Sequence, residues 1–353
     1  MKIGTLKGAL LEHIVRNLFK NCGFTNVKAD GVYSFESKGL FFVNGRGAAH
    51  DADVIVNPPI QMSFSYPTQL IFECKAYSGS AGLSVIRNAF GLRNDLNEFE
   101  IVTRDSIMAR QNDRRAAYAV EMRLRFLYQV GVASINGFKA PAVEFATNNK
   151  IPLLSLTWFL KARTIDLING LDDIFLATMP VEGIRNLYKF FKDRDGDEYA
   201  PEYTDASIIL SSNNAIATII NDSLEAIQTS VIGLLETGDI IFLHAIEGPN
   251  FFPGVSSLLP LRAEIHWERN TLNLWQLTIE DPISREQTRF GFYLPTKIFR
   301  HWQEYNFDKV LALDMKAQFF SRIFIFNNSR NRENPFCIVD IDREWLDRAR
   351  EQL

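Results

Sequence analysis

The stretches GRGAAHDADVIV (residues 45–56) and LIFECKAY (residues 70–77) decide how the first half of this chain is read. In an extended strand, alternate side chains point to the same face, so Glu73 and Lys75 project together while Cys74 between them faces the other way. Asp53 heads the apolar run Val54-Ile55-Val56. If the two runs pair as neighbouring strands, Asp53, Glu73 and Lys75 meet at one sheet edge. Asp51 competes with Asp53 for this role; Asp53 is preferred because it directly abuts the apolar run.

These residue types suit one chemistry. Magnesium prefers carboxylate, carbonyl and water oxygens, and one or two carboxylates hold it while it keeps several waters. Asp53, Glu73 and the main-chain carbonyl of Cys74 supply such a partial shell, with Mn2+ as a substitute ion. Lys75 beside them suits orienting an attacking water or offsetting charge that builds on a phosphate. Upstream, Leu11, Ile14, Val15, Leu18 and Phe19 form one helical stripe that Gly23 is placed to end. At 100° per residue Glu12 lies beside Phe19 at the stripe's margin, turned toward the sheet edge, where it can hold a water of the ion's shell or a second ion.

The remaining segments up to residue 160 alternate. Strands are expected around 32–35, 40–43, 53–56, 70–76, 128–135 and 151–156. A helix-compatible region runs from about 83 to 125, and a short helix covers 140–148. Such alternation predicts a sheet flanked by helices.

Together these features resemble the PD-(D/E)XK nuclease superfamily, and within it resolvase-like and type IV restriction-like members. The resemblance covers roughly residues 5–160: the helix with its glutamate (GALLEHIVRNLFKNCGF), the Gly-rich approach to the acidic strand, the Glu-x-Lys strand, and the later strand–helix–strand VGVASINGFKAPAVEFATNNKIPLLSL. It implies an α/β fold with a restriction-endonuclease-like mixed sheet, and Glu12, Asp53, Glu73 and Lys75 as the magnesium and catalytic set of a DNA endonuclease, for example in restriction or phage defence. A proline that often precedes the first aspartate is absent, with Ala52 in its place. The contrasting reading is a non-catalytic nucleic-acid-binding or regulatory subunit on a degenerate nuclease fold.

Charge is consistent with a polyanionic partner for the first half only. Residues 1–160 carry 18 Lys+Arg against 13 Asp+Glu, whereas the remainder carries 20 against 29, giving the overall −4. His50, Arg104, Arg110, Arg114 and Arg115 are candidate contacts to nucleic acid. The three cysteines are too scattered for a disulfide framework or a thiolate metal site. No leader and no membrane-spanning run is recognised, so a cytoplasmic protein is expected.

Residues 161–203 are expected to be a helical connector followed by a polar linker, KDRDGDEYAPEY (192–203). Its aspartates do not make a calcium loop, because Glu198 and Thr204 occupy the positions where an EF-hand needs Gly and Glu. Residues 204–353 are expected to form an α+β domain for recognition, sensing or oligomerisation. A helix is expected from Ile216 to Leu235, ended by Gly238. Strands are expected at 239–246, around Trp275–Leu277–Ile279, in the hairpin partner RFGFYLP (289–295), and at 319–326 and 336–341, with a closing helix from Arg343.

Overall fold

The computed structural model describes residues 1–31, 33–37, 39–61, 66–98, 126–194, 214–236, 239–246, 260–267, 274–280, 285, 287–326 and 336–352. Helix α1 (Ile3–Asn21) opens the chain. It ends where Gly23 takes a left-handed φ of +85°, with the Gly23 N–H donating to Lys20 O and the Phe24 N–H to Phe19 O. This closing pattern needs a residue without Cβ at the turn.

The central sheet has five strands in the order β1-β5-β6-β7-β8: β1 (Thr25–Asn26), β5 (Val54–Asn57), β6 (Thr68–Lys75), β7 (Leu127–Ser134) and β8 (Leu153–Ser155). The pairs β1–β5 and β5–β6 are antiparallel, and β6–β7 and β7–β8 are parallel, so the sheet is mixed. Gly131 on β7 admits this packing, since a Cβ there would lie 2.7 Å from the Phe72 ring and 2.9 Å from the Pro152 carbonyl. A separate antiparallel sheet, β2 (Ser34–Ser37), β3 (Leu40–Asn44) and β4 (Ala49–Asp51), leads into Asp53.

Alternation along the strands sorts the core into two layers. Val54, Val56, Leu70, Phe72 and Cys74 face α1, where Phe19 packs on Phe72 at 4.9 Å between ring centroids. Ile55, Ile71, Val130 and Val132 face α2 (Leu83–Asn97) and α3 (Ala140–Asn148). The expected 83–125 region is a helix as far as Asn97; residues 99–125, and with them Arg104, Arg110, Arg114 and Arg115, lie outside the described residues.

Three connector helices follow: α4 (Ala162–Gly170), α5 (Asp173–Ala177) and α6 (Val181–Lys192). Here the expected linker boundary is corrected. Lys192 is the last residue of α6, because the buried Leu187 and Phe191 share a face that packs on α1 and carry the helix beyond the start of the polar run.

A second correction concerns 216–235. Helix α7 (Asn214–Gln228) stops, and β9 (Ser230–Leu235) takes over. Ile227, Val231 and Leu235 are four apart, a spacing that helix and strand both place on one face. Pairing of β9 with β10 (Ile240–Ala245) and β14 (Arg322–Phe326) selects the strand. These strands close a seven-stranded barrel, β10-β13-β12-β11-β15-β14-β9, with β11 (Leu261–Trp267), β12 (Leu274–Glu280), β13 (Gln287–Tyr293) and β15 (Phe336–Ile341). All ladders are antiparallel except β11–β15.

Helices α8 (Thr296–Glu304), α9 (Lys309–Phe319) and α10 (Arg343–Glu351) share the barrel core through Trp302, Leu313 and Leu346. The strand expected from residue 319 begins at Arg322, because α9 runs through Phe319. The α1-side core extends into the second half of the chain through Ile216, Ile219, Ile232 and Phe326. Among the described residues no helix is long and apolar enough to cross a membrane.

Candidate metal centre

The β5–β6 register builds the site. Val54 lies opposite Phe72, so one further step along the ladder sets Asp53 against Glu73, and opposed residues of an antiparallel pair share a face. Asp53 Oδ2 accepts the Cys74 N–H at 2.7 Å. Since a strand residue turns its N–H and C=O to the same side, the Cys74 carbonyl lies on Asp53's side as well. Lys75 Nζ is 2.8 Å from Glu73 Oε2 and 3.8 Å from Asp53 Oδ2. Thus Asp53, Glu73 and Lys75 lie together. The Cys74 side chain enters the opposite, α1-facing layer, where burial and then the nearby carboxylates push its thiol well above the usual range. It stays a protonated core thiol.

Glu12 approaches Asp53 from α1, in a pocket that Glu73 and Lys75 do not line. It is 5% exposed and lines a small pocket with Asp51, Asp53, Arg16, Lys192 and Arg194. Lys192 Nζ donates to both of its oxygens, at 2.8 and 2.6 Å, and Arg16 Nη2 lies 3.9 Å away. Arg16 also donates to the carbonyls of Phe191 and Asp193, fastening the end of α6 to α1. Arg194 donates to Val27 O and lies over the Phe41 ring at 3.9 Å.

Lys192, Arg16 and Arg194 were not among the candidates the sequence offers. The signal for Arg16 was present as a basic residue one turn from Glu12. Lys192 is 180 positions away from Glu12 and carried no local signal.

Burial dominates the electrostatics. It raises the Glu12 carboxyl to about 7, with Asp53's charge adding to the effect and Lys192 opposing it. Asp53 is raised by burial against the Cys74 N–H and Lys75, and Glu73 by burial against the pull of Lys75. Burial pulls Lys75 down, but Glu73 and Asp53 outweigh it and hold the ammonium protonated. Buried carboxylates with raised pKa are groups that gain from a hard cation.

Asp51 is exposed on β4, at the pocket's outer wall. His50 is turned to α2, with Nε2 2.7 Å from Asp95 Oδ2, while the Gly47 N–H donates to Asp95 Oδ1 at 2.8 Å. The pair holds the Gly-rich turn that leads into the acidic strand.

Among the described residues no three His, Cys, Asp or Glu side chains are grouped to hold a metal by themselves. The donor set fits magnesium in the partial manner: two carboxylates and one carbonyl, leaving room for waters. Asp53 Oδ1 and Glu73 Oε1 have no hydrogen-bond partner among the described residues.

No protein-family description matches the chain, and no curated protein matches it. A solved structure of a protein of unknown function, AF1548, aligns over 62% of this chain and 97% of its own, at 17% identity and a TM-score of 0.33.

Proposed function

We propose that this chain is a magnesium-dependent DNA endonuclease, with a restriction-endonuclease-like core in residues 1–160 and a barrel half that serves recognition, sensing or assembly, in a role such as restriction or phage defence. The observation that supports the reading most is the convergence of Asp53, Glu73 and Lys75 at one rim of a mixed sheet, with the Cys74 carbonyl on the same side. Asp53, Glu73 and that carbonyl would hold the ion, which when bound supplies Lewis acidity at the scissile phosphate.

The chain's own groups do the rest. Glu73 and Asp53 fix the Lys75 ammonium, which is placed to orient the attacking water and to offset charge on the phosphorane-like transition state. Asp53 is itself aimed by the Cys74 N–H.

A different reading, a DNA-binding or regulatory subunit without catalysis, draws on the fact that Glu12 and Glu73 are each already matched by a lysine within the protein. Supercoiled plasmid with Mg2+ or Mn2+ separates the two. The endonuclease should nick or linearise it, and Asp53→Ala and Lys75→Ala should each lose about 100-fold or more of the rate. Equal behaviour of wild type and both variants would remove the enzymatic reading.

A further inference from the structure

The carboxylates at this rim are not equivalent. Asp53 and Glu73 each keep one oxygen without a hydrogen-bond partner among the described residues. Glu12 keeps none, since Lys192 Nζ donates to both of its oxygens and Arg16 stands beside it. The backbone that carries Lys192 is tied down on both sides. Arg16, itself 3% exposed, ties the carbonyls on either side of Lys192 to α1, and Asn26 Nδ2 donates to the Arg194 carbonyl just beyond. A divalent ion brought to Glu12 would meet the Lys192 and Arg16 cations at contact distance, in a pocket where burial weakens solvent screening.

We propose that the Lys192 ammonium takes the place of a second divalent cation, so that the centre binds one ion per chain, at Asp53 and Glu73, and Glu12 serves to hold Lys192. This rests on the nuclease reading above, and it replaces the expectation that Glu12 ligates a second ion. Lys192 is on this account a positioning residue that sets the metal stoichiometry from the connector helix.

The test is a Mn2+ titration of the full chain without DNA, followed by calorimetry and by electron paramagnetic resonance. Wild type should take up one ion per chain with an uncoupled six-line signal. Lys192→Ala should take up two, with the broadened signal of two coupled ions. Lys192→Gln, which keeps a hydrogen-bond donor for Glu12 but no charge, should behave the same way and covers the case in which the alanine variant does not fold. The double variant Glu12→Gln/Lys192→Met should return to one ion. Two ions in the wild type would overturn the proposal, as would a folded Lys192→Ala or Lys192→Gln that still takes one. No uptake by the wild type would instead overturn the nuclease reading itself.

Discussion

Exchanging Glu12 for glutamine separates the pH dependence of one buried carboxyl from that of the rest of the chain. Burial, with Asp53's charge, holds the folded-state pKa at about 7 against an ordinary 4.5. Below pH 4.5 the group is protonated in both folded and unfolded chains. Between 4.5 and 7 only the folded chain keeps the proton, and above 7 neither does. The stabilising contribution is therefore complete at low pH and is lost as pH rises through 7. At roughly 1.4 kcal/mol per pKa unit, the loss amounts to about 3 kcal/mol.

A second buried group acts in the opposite sense across much of this window. Burial, then Arg16 and Lys20, lower His13 to about 3, so its contribution grows as pH rises from 3 toward the ordinary histidine value. The wild-type profile alone therefore mixes these two with Asp53 and Glu73, whose carboxyls burial also raises. The informative quantity is the stability difference between wild type and Glu12→Gln, from urea denaturation at intervals between pH 4.5 and 8. That difference should fall by about 3 kcal/mol between pH 4.5 and 7 and then level off. A difference flat across the range would refute the assignment of a buried, proton-retaining carboxyl at α1.

The other expectations concern the barrel and the turn before Asp53. Lys316 is 8% exposed, with Nζ 5.2 Å from the Trp275 ring and 5.1 Å from the Trp345 ring and no ion pair among the described residues; burial lowers it to about 8. Stability should rise by roughly 3 kcal/mol from pH 8 to 10.5, because only the unfolded chain is charged there, and Lys316→Met should abolish that slope in denaturant titrations. Asp95→Ala removes the acceptor for the Gly47 N–H and the His50 ring, which should cost about 1 kcal/mol in thermal unfolding. His50→Ala should change plasmid affinity less than about twofold in a salt titration, whereas a direct phosphate contact would lower the salt slope by about one.

Much of the candidate site follows from local rules. The alternation of β6 puts Glu73 and Lys75 together and Cys74 apart whatever the partner strand is, and the stripe of α1 fixes where Glu12 stands relative to Phe19. The hairpin of β12 and β13 is likewise legible, since Trp275, Leu277 and Ile279 alternate against Phe290 and Phe292. Less was legible where two periods coincide. The four-residue spacing of Ile227, Val231 and Leu235 satisfies a helix and a strand equally, and only neighbours from β10 and β14 decide between them. The helices α8 and α9 and the strand β11 were not expected, although Leu261, Ala263 and Ile265 alternate with Arg262, Glu264 and His266 along β11, and Ile298 and Trp302 are four apart on α8.

By itself the sequence determined the residue types at the sheet rim, the face each occupies and the elements that carry them, because these depend on geometry repeated every two or four residues. Tertiary structure decided everything that joins distant segments: the strand order of the mixed sheet, the parallel β11–β15 ladder that helps close the barrel, and the arrival of Lys192 at Glu12. Those contacts gain their free energy from surfaces far apart in the chain, through burial on α1 and paired strand edges, so no local spacing records them.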